Sequence, residues 1–274
     1  MIEKKKIKQF NGLLVATIEL STLCNKTPGC WMCGRRILEK DYPALSWFNK
    51  NMPNKLIRKI AQQLPTDIVV QFHNNGESLL HPNFGNAVRL FKNRIKCLNT
   101  NGKLILEKWD EIVDNLDTLT ISVIPNDPEQ DEQYEIVKKF LERKKNRKPF
   151  MIYRLLGNIE NKERWYQLPG LVTTRILHDP MGSFNYEKKV TIPEIGVCLD
   201  LLSHLVINVD GTVSMCIRFD PLRYGIIGDI NKDNLLFIWN SKRRKLIIKE
   251  HLKGNRNCNQ LCAKCDYFGI PRGE

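Results

Sequence analysis

Residues 13–33 read LLVATIELSTLCNKTPGCWMC: an apolar run, then Cys24, Cys30 and Cys33 spaced C-x5-C-x2-C. The run at 13–20 is short, aliphatic and β-branched, which predicts a buried strand. Pro28 and Gly29 sit between the first two cysteines and allow the following loop to curl. Outward from this unit, five more apolar runs follow at 67–72, 95–99, 116–124, 150–156 and 172–177. Between them lie stretches at 54–63, 84–92, 105–115, 132–145 and 161–167 that space apolar residues three and four apart. Pro53, Pro82 and Pro128 stand just ahead of helical stretches, a common start signal. Strand–helix alternation with apolar strands predicts parallel βαβ units. Six units predict the α/β class and a partial (β/α)6 barrel.

Chemistry in parallel α/β folds gathers at the C-terminal ends of the strands. Cys24, Asn75-Gly76-Glu77, Thr100-Asn101-Gly102 and Ser122 all fall there. A segment at 179–194 with Pro180, Gly182 and Pro193 reads as a linker, dividing a barrel at 1–180 from a smaller unit at 181–274. In the latter, residues 205–216 read as a β-hairpin turning at Asp210-Gly211, and 234–252 as a basic helix.

The chain has 274 residues, 42% hydrophobic, with nine cysteines and a formal charge of +13. An odd cysteine count with no signal-peptide pattern argues against a disulfide framework. Most of the cysteines form two tight groups, as metal ligands do. No apolar run is long enough to span a bilayer, so a cytoplasmic protein is expected. The basic residues bunch at 4–8, 138–148 and 242–256. They read either as solvated helix faces or as a footprint for a polyanion.

Three thiolates from one short loop suit three irons of a cubane, leaving the fourth iron open to an outside chelator such as the methionine part of S-adenosylmethionine (SAM). A zinc knuckle is the competing reading, but zinc would want a fourth ligand that the loop lacks. At the C-terminus, Cys198, Cys216, Cys262 and Cys265 suit either one four-iron cluster or a four-cysteine zinc site, with Cys258 spare or substituting. Cys97, within a strand, reads as a small core residue. His73 and His81 are within reach of the active face, though each reads first as structural.

The cysteine loop resembles that of the radical SAM superfamily, C-x3-C-x-Φ-C after the first strand. It departs by two extra residues between Cys24 and Cys30 and by Met32 at the aromatic position. Residues 75–82, NGESLLHP, resemble the superfamily's G-G-E-P-L-L-x-P. Leu98 to Gly102 resemble its T-N-G segment, and Ser122 its fourth-strand serine. Cys198 to Cys265 resemble the C-terminal SPASM extension or its shorter form, twitch, as in twitch aminocyclitol dehydrogenases. The resemblance implies a radical SAM barrel with a hairpin-plus-helix twitch domain, carrying SAM and two [4Fe-4S] clusters, one of them auxiliary. It implies ligation by Cys24, Cys30 and Cys33, and by Cys198, Cys216, Cys262 and Cys265. It implies a SAM seat at Met32, Asn75, Gly76, Glu77, Ser122 and Arg154, with Thr100 near substrate; the catalytic residue stays unassigned.

The activity implied is generation of a 5′-deoxyadenosyl radical that abstracts hydrogen from a substrate C–H bond, in an oxidoreductase or isomerase. A flavodoxin or ferredoxin would serve as external electron donor. A small polar metabolite is the expected substrate. A nucleotide or nucleic acid is the first alternative, through the basic helices. A peptide is another, disfavoured by the first strand beginning near residue 13. A non-catalytic iron–sulfur or zinc protein binding nucleic acid is the alternative from a different class.

Overall fold

The computed structural model describes residues 9–26, 30, 33–35, 49–175, 197–218, 220, 222–263 and 265. The sequence-predicted linker and Met32 lie outside them.

Among these residues, nine strands form one sheet. β1 (Val15–Ile18), β2 (Val69–Phe72), β3 (Ile95–Thr100), β4 (Thr118–Val123), β5 (Phe150–Leu156) and β6 (Leu171–Arg175) lie side by side in chain order, all parallel. The connecting helices are α1 (Asn54–Gln63), α2 (Phe84–Arg89), α3 (Trp109–Ile112), α4 (Gln130–Lys144) and α5 (Glu163–Tyr166). The third is a single turn where the pattern at 105–115 predicts a longer helix. This is the partial (β/α)6 barrel expected.

The C-terminal part extends that sheet. After α6 (Leu199–Ser203), β7 (His204–Ile207) pairs in parallel with β1 on the side away from β2. β8 (Thr212–Ser214) and β9 (Ile226–Asp229) continue antiparallel. The hairpin turns at Asp210-Gly211, where Gly211 has φ +91° and a Cβ would meet Asn231 Nδ2 at 2.4 Å. The predicted basic helix is two: α7 (Leu235–Trp239) and α8 (Lys242–Leu252). The break falls where the Ser241 hydroxyl accepts a hydrogen bond from Arg244 N and starts a new helix. α9 (Gln260–Ala263) follows. Neither β9 nor α6 was expected from the sequence.

One face of the barrel sheet is apolar. Ala16, Ile18, Val70, Phe72, Leu98, Leu119, Ile121 and Tyr153 are fully buried. They pack against helix residues such as Ile57, Ile60, Phe84 and Phe140, with Phe72 edge-on to Phe91 at 5.4 Å. Strand register puts Thr17, Gln71 and Cys97 together on the other face, and Ser122 beside Arg154. The strands therefore alternate, apolar toward the helices and polar toward the lumen, where the sequence suggested continuous apolar strands. Cys97 lies half-buried on the polar face rather than in the core.

Candidate functional site

The cysteine loop leaves β1 and is held by residues at or beyond the ends of β2, β3 and β4. From the β2 loop, Glu77 N donates to Leu23 O at 2.7 Å. From the end of β3, Asn101 Nδ2 donates to Asn25 Oδ1 at 2.7 Å. Beyond β4, Asp127 forms an ion pair with Lys26, and Glu129 Oε2 accepts from the same ammonium at 3.1 Å. Neither the Lys26 nor the Asp127 side chain is exposed. Burial works against the Lys26 charge, but the two carboxylates outweigh it and raise its pKa. Arg35, just past the loop, donates to Thr22 O and to Asn49 Oδ1.

This frame gathers Cys24, Cys30 and Cys33, each half-buried. Cys33 N donates to Cys30 O at 3.1 Å. Burial pushes the Cys30 thiol up to about 12, and the nearby Cys33 and Cys24 push the same way. Three thiolates this close repel one another unless a cation lies between them. Three soft sulfur donors in mutual reach on one loop fit iron of a cluster.

Asn75, Gly76 and Glu77 form a tight loop against the same segment. A Cβ on Gly76 would stand 2.3 Å from Ser21 O and 2.7 Å from Leu23 O, so only glycine fits. The buried Glu77 carboxylate accepts from Leu79 N at 3.1 Å, Thr100 Oγ1 at 2.8 Å and Asn101 N at 3.0 Å. A carboxylate has about four acceptor positions, so one remains. Burial raises its pKa against the lowering effect of those bonds. Thr100 is buried with its hydroxyl given to Glu77, which places it in the loop framework. Ser122 and Arg154 are neighbours in register on β4 and β5. Burial lowers the Arg154 pKa, and no described residue forms a hydrogen bond or ion pair with it.

Four of the five C-terminal cysteines line one cavity of about 390 Å³, mouth included: Cys198, Cys216, Cys262 and Cys265. Leu201, Met215, Arg218, His251 and Leu261 complete its walls. Cys258 is exposed and absent from the lining. Burial pushes Cys262 up to about 12 and Cys216 well above the ordinary thiol range. Among the described residues no three His, Cys, Asp or Glu side chains converge on a single ion. A cube-shaped cluster takes its thiolates around a body rather than at a point, and a cavity walled by four cysteines fits one. Arg244 ties this region together. Its guanidinium lies 3.4 Å over the Trp239 ring and donates to Leu201 O and Leu202 O at the end of α6.

A polar run joins the cavity to the lumen. Arg218 lies 3.7 Å from Asp200, and Asp200 3.8 Å from His204. His204 Nε2 and the Thr17 hydroxyl share a 2.8 Å hydrogen bond, and His73 Nε2 meets Gln71 Oε1 at 3.0 Å. Burial, reinforced by Arg154, His204 and Arg175, brings His73 down to about 3, so it is neutral at pH 7. His81 is structural: its Nε2 meets Met52 O at 2.9 Å. Gln71, Asp200 and His204 carried no sequence signal. Asp200 and His204 become visible only once β7 is placed beside β1, and Gln71 once β2 is placed beside Thr17.

Comparison with known proteins bears on both cysteine groups. Residues 198–266 match the model of the SPASM family, described as an iron–sulfur cluster-binding domain. BtrN, solved in complex with AdoMet and 2-DOIA, superposes with a TM-score of 0.60 at 18% identity, covering 96% of each chain. Streptococcus suis SuiB bound to S-adenosylmethionine gives a TM-score of 0.64 at 13% identity, covering 94% of this chain and 73% of that one. SuiB bound to precursor peptide SuiA matches equally well. No curated protein sequence matches. The likeness in fold covers the parallel barrel and the C-terminal strands, and the family match covers the segment that holds the second cysteine group.

Proposed function

We propose that this chain is a radical SAM enzyme whose auxiliary cluster sits in the SPASM-type segment. The observation that carries the reading is the gathering of Cys24, Cys30 and Cys33 at the C-terminal ends of the parallel strands, against the Asn75–Glu77 loop. When bound, a four-iron cluster with SAM supplies a 5′-deoxyadenosyl radical that removes hydrogen from an unactivated C–H bond.

The chain's own residues bind, orient and shield. Cys24, Cys30 and Cys33 hold the first cluster; Cys198, Cys216, Cys262 and Cys265 hold the second. The remaining acceptor position on Glu77 and the loop at Asn75-Gly76 receive the SAM ammonium. Arg154, with no carboxylate partner among the described residues, receives the SAM carboxylate beside Ser122; Met32 belongs to the same seat. Neutral His73, Gln71 and Thr17 line the lumen where a polar substrate is held. The apolar sheet face and its helices seal that lumen on the outside. An external one-electron donor completes the system. No described helix is long and apolar enough to cross a membrane. The division at 180/181 remains our domain assignment.

A small polar metabolite is the substrate class we favour, supported by the equal-length match to BtrN with 2-DOIA. A peptide is the second reading, supported by SuiB with SuiA. Anaerobic incubation of the reconstituted protein with SAM and dithionite tests the activity. It should yield 5′-deoxyadenosine, and Cys30→Ala should abolish it. A protein that binds zinc and yields none would overturn the reading. Deuterium transfer into 5′-deoxyadenosine from labelled polyols or from a labelled peptide distinguishes the two substrate classes.

A further inference from the structure

Glu19 stands one residue past the end of β1, five before the first cysteine, and is fully buried. Its Oε1 accepts from both Asn75 N at 3.2 Å and Asn75 Nδ2 at 2.9 Å. Its Oε2 accepts from Val209 N at 3.0 Å. Its own amide donates to Ile207 O at 3.0 Å, continuing the β1–β7 pairing. One carboxylate thus ends three chains at once: β1, the β2 loop and the turn between β7 and β8. A second bond runs parallel to it, from Asn74 Nδ2 to Asn208 Oδ1 at 3.3 Å. The β2 loop has no slack on its other side, because Gly76 lies against Ser21 O and Leu23 O.

A buried carboxylate held only by neutral donors is a costly arrangement. None of the ion pairs among the described residues involves Glu19. Burial raises its pKa, and Asp210 nearby adds to that. What the carboxylate supplies, and an apolar or amide side chain does not, is acceptors pointing in two directions. One oxygen serves the loop that seats SAM in the reading above. The other serves the turn one strand, β8, ahead of Cys216. Between Asn74 and Asn75 on one side and Asn208, Ser214 and Cys216 on the other there is a small shared pocket. The two halves of the proposed machinery meet at this carboxylate.

We propose that Glu19 is a positioning residue that couples the SAM-seating loop at Asn75 to the hairpin leading to Cys216, so that filling the seat tightens the hairpin. The proposal rests on the radical SAM reading for the identity of the ligand. It does not require Glu19 to touch SAM or either cluster. A cofactor anchored at Asn75–Glu77 stiffens that loop. The Glu19 carboxylate passes the restraint to Val209, through part-buried bonds from Asn75 to one oxygen and a buried bond from Val209 N to the other.

Hydrogen exchange on the two-cluster holoprotein, with and without saturating SAM, tests it directly. In the wild type, SAM should slow exchange in both 74–77 and 208–210. Glu19→Gln preserves shape but offers one acceptor and places an amide donor against an N–H. It should weaken SAM binding about tenfold. At saturating SAM it should keep the slowing at 74–77 and lose it at 208–210. If wild-type protein shows slowing at 74–77 alone, the coupling falls and the SAM reading stands. No slowing in either segment, with no 5′-deoxyadenosine formed, overturns both. A Glu19→Gln protein with wild-type affinity and exchange overturns the coupling. The wild-type comparison decides the matter even where the variant fails to fold.

Discussion

Lys26 and Asp127, 101 positions apart in sequence and both without side-chain exposure, pair as buried charges and fasten the cysteine loop to the turn before α4. Lys26→Met keeps the unbranched apolar stem, one atom shorter, and strands Asp127 as an unpaired buried charge. The expected cost is about 3–5 kcal/mol. The readout is thermal unfolding together with iron content. The N-terminal cluster should be lost first, leaving the auxiliary one. Retention of both clusters at wild-type stability would show that the pair does not organise the loop.

Glu129 joins the same clamp through Lys103 and Lys26, which hold its carboxyl below the ordinary value of 4.5. A depressed carboxyl stabilises the fold above its unfolded pKa and loses that contribution as pH falls through the folded value. The stability gap between wild type and Glu129→Gln should therefore be full near pH 6 and close as pH drops below about 4.5. The side chain is about one-third exposed, so the gap should be small and shrink with added salt. Melting temperatures across pH 3–6 check this; a gap that widens on acidification contradicts it.

Cys258 sits outside the cavity that Cys198, Cys216, Cys262 and Cys265 share. Cys258→Ser should keep the auxiliary cluster, whereas Cys198→Ser should lose it and halve the iron, from about eight to about four atoms per chain. Iron assay and electron paramagnetic resonance decide between them. Loss of the cluster in the Cys258 variant would move that residue into the ligand set.

Gly76→Ala places a methyl within 2.3 Å of Ser21 O, a backbone atom that has no flexible side chain to yield. The loop must shift, and Asn75 and Glu77 shift with it. Formation of 5′-deoxyadenosine should fall about a hundredfold while both clusters remain. Near-normal turnover would mean that the loop does not seat the cofactor.

Much of this site was legible before any coordinates. The order of strands and helices follows from apolar spacing, and the seven cysteines we propose as ligands stand out by clustering. The loop at Asn75–Glu77 would pass for an ordinary turn by itself; it stands out because Thr100-Asn101-Gly102 and Ser122 follow at the ends of the next strands. What the sequence hid are contacts across long separations. Val209 meets Glu19 over 190 residues, His204 meets Thr17 over 187, and Lys26 meets Glu129 over 103. No local pattern encodes such meetings. The polar lumen was hidden for another reason. A single Thr17 in Val-Ala-Thr-Ile, or Gln71 in Val-Val-Gln-Phe, is too little polarity to reveal an alternating strand.

The parallel pairing of β7 with β1 has a consequence for how the molecule is made. β1 is an inner strand of the sheet, and one of its neighbours is encoded nearly 190 residues later. Until the last third is synthesised, β1 presents a bare row of amides and carbonyls, the kind of edge that recruits other chains. A fragment ending at residue 180 should therefore aggregate, and adding residues 181–274 in trans should rescue solubility. Cluster assembly would then be timed by translation, with Cys24, Cys30 and Cys33 waiting on a strand encoded far downstream.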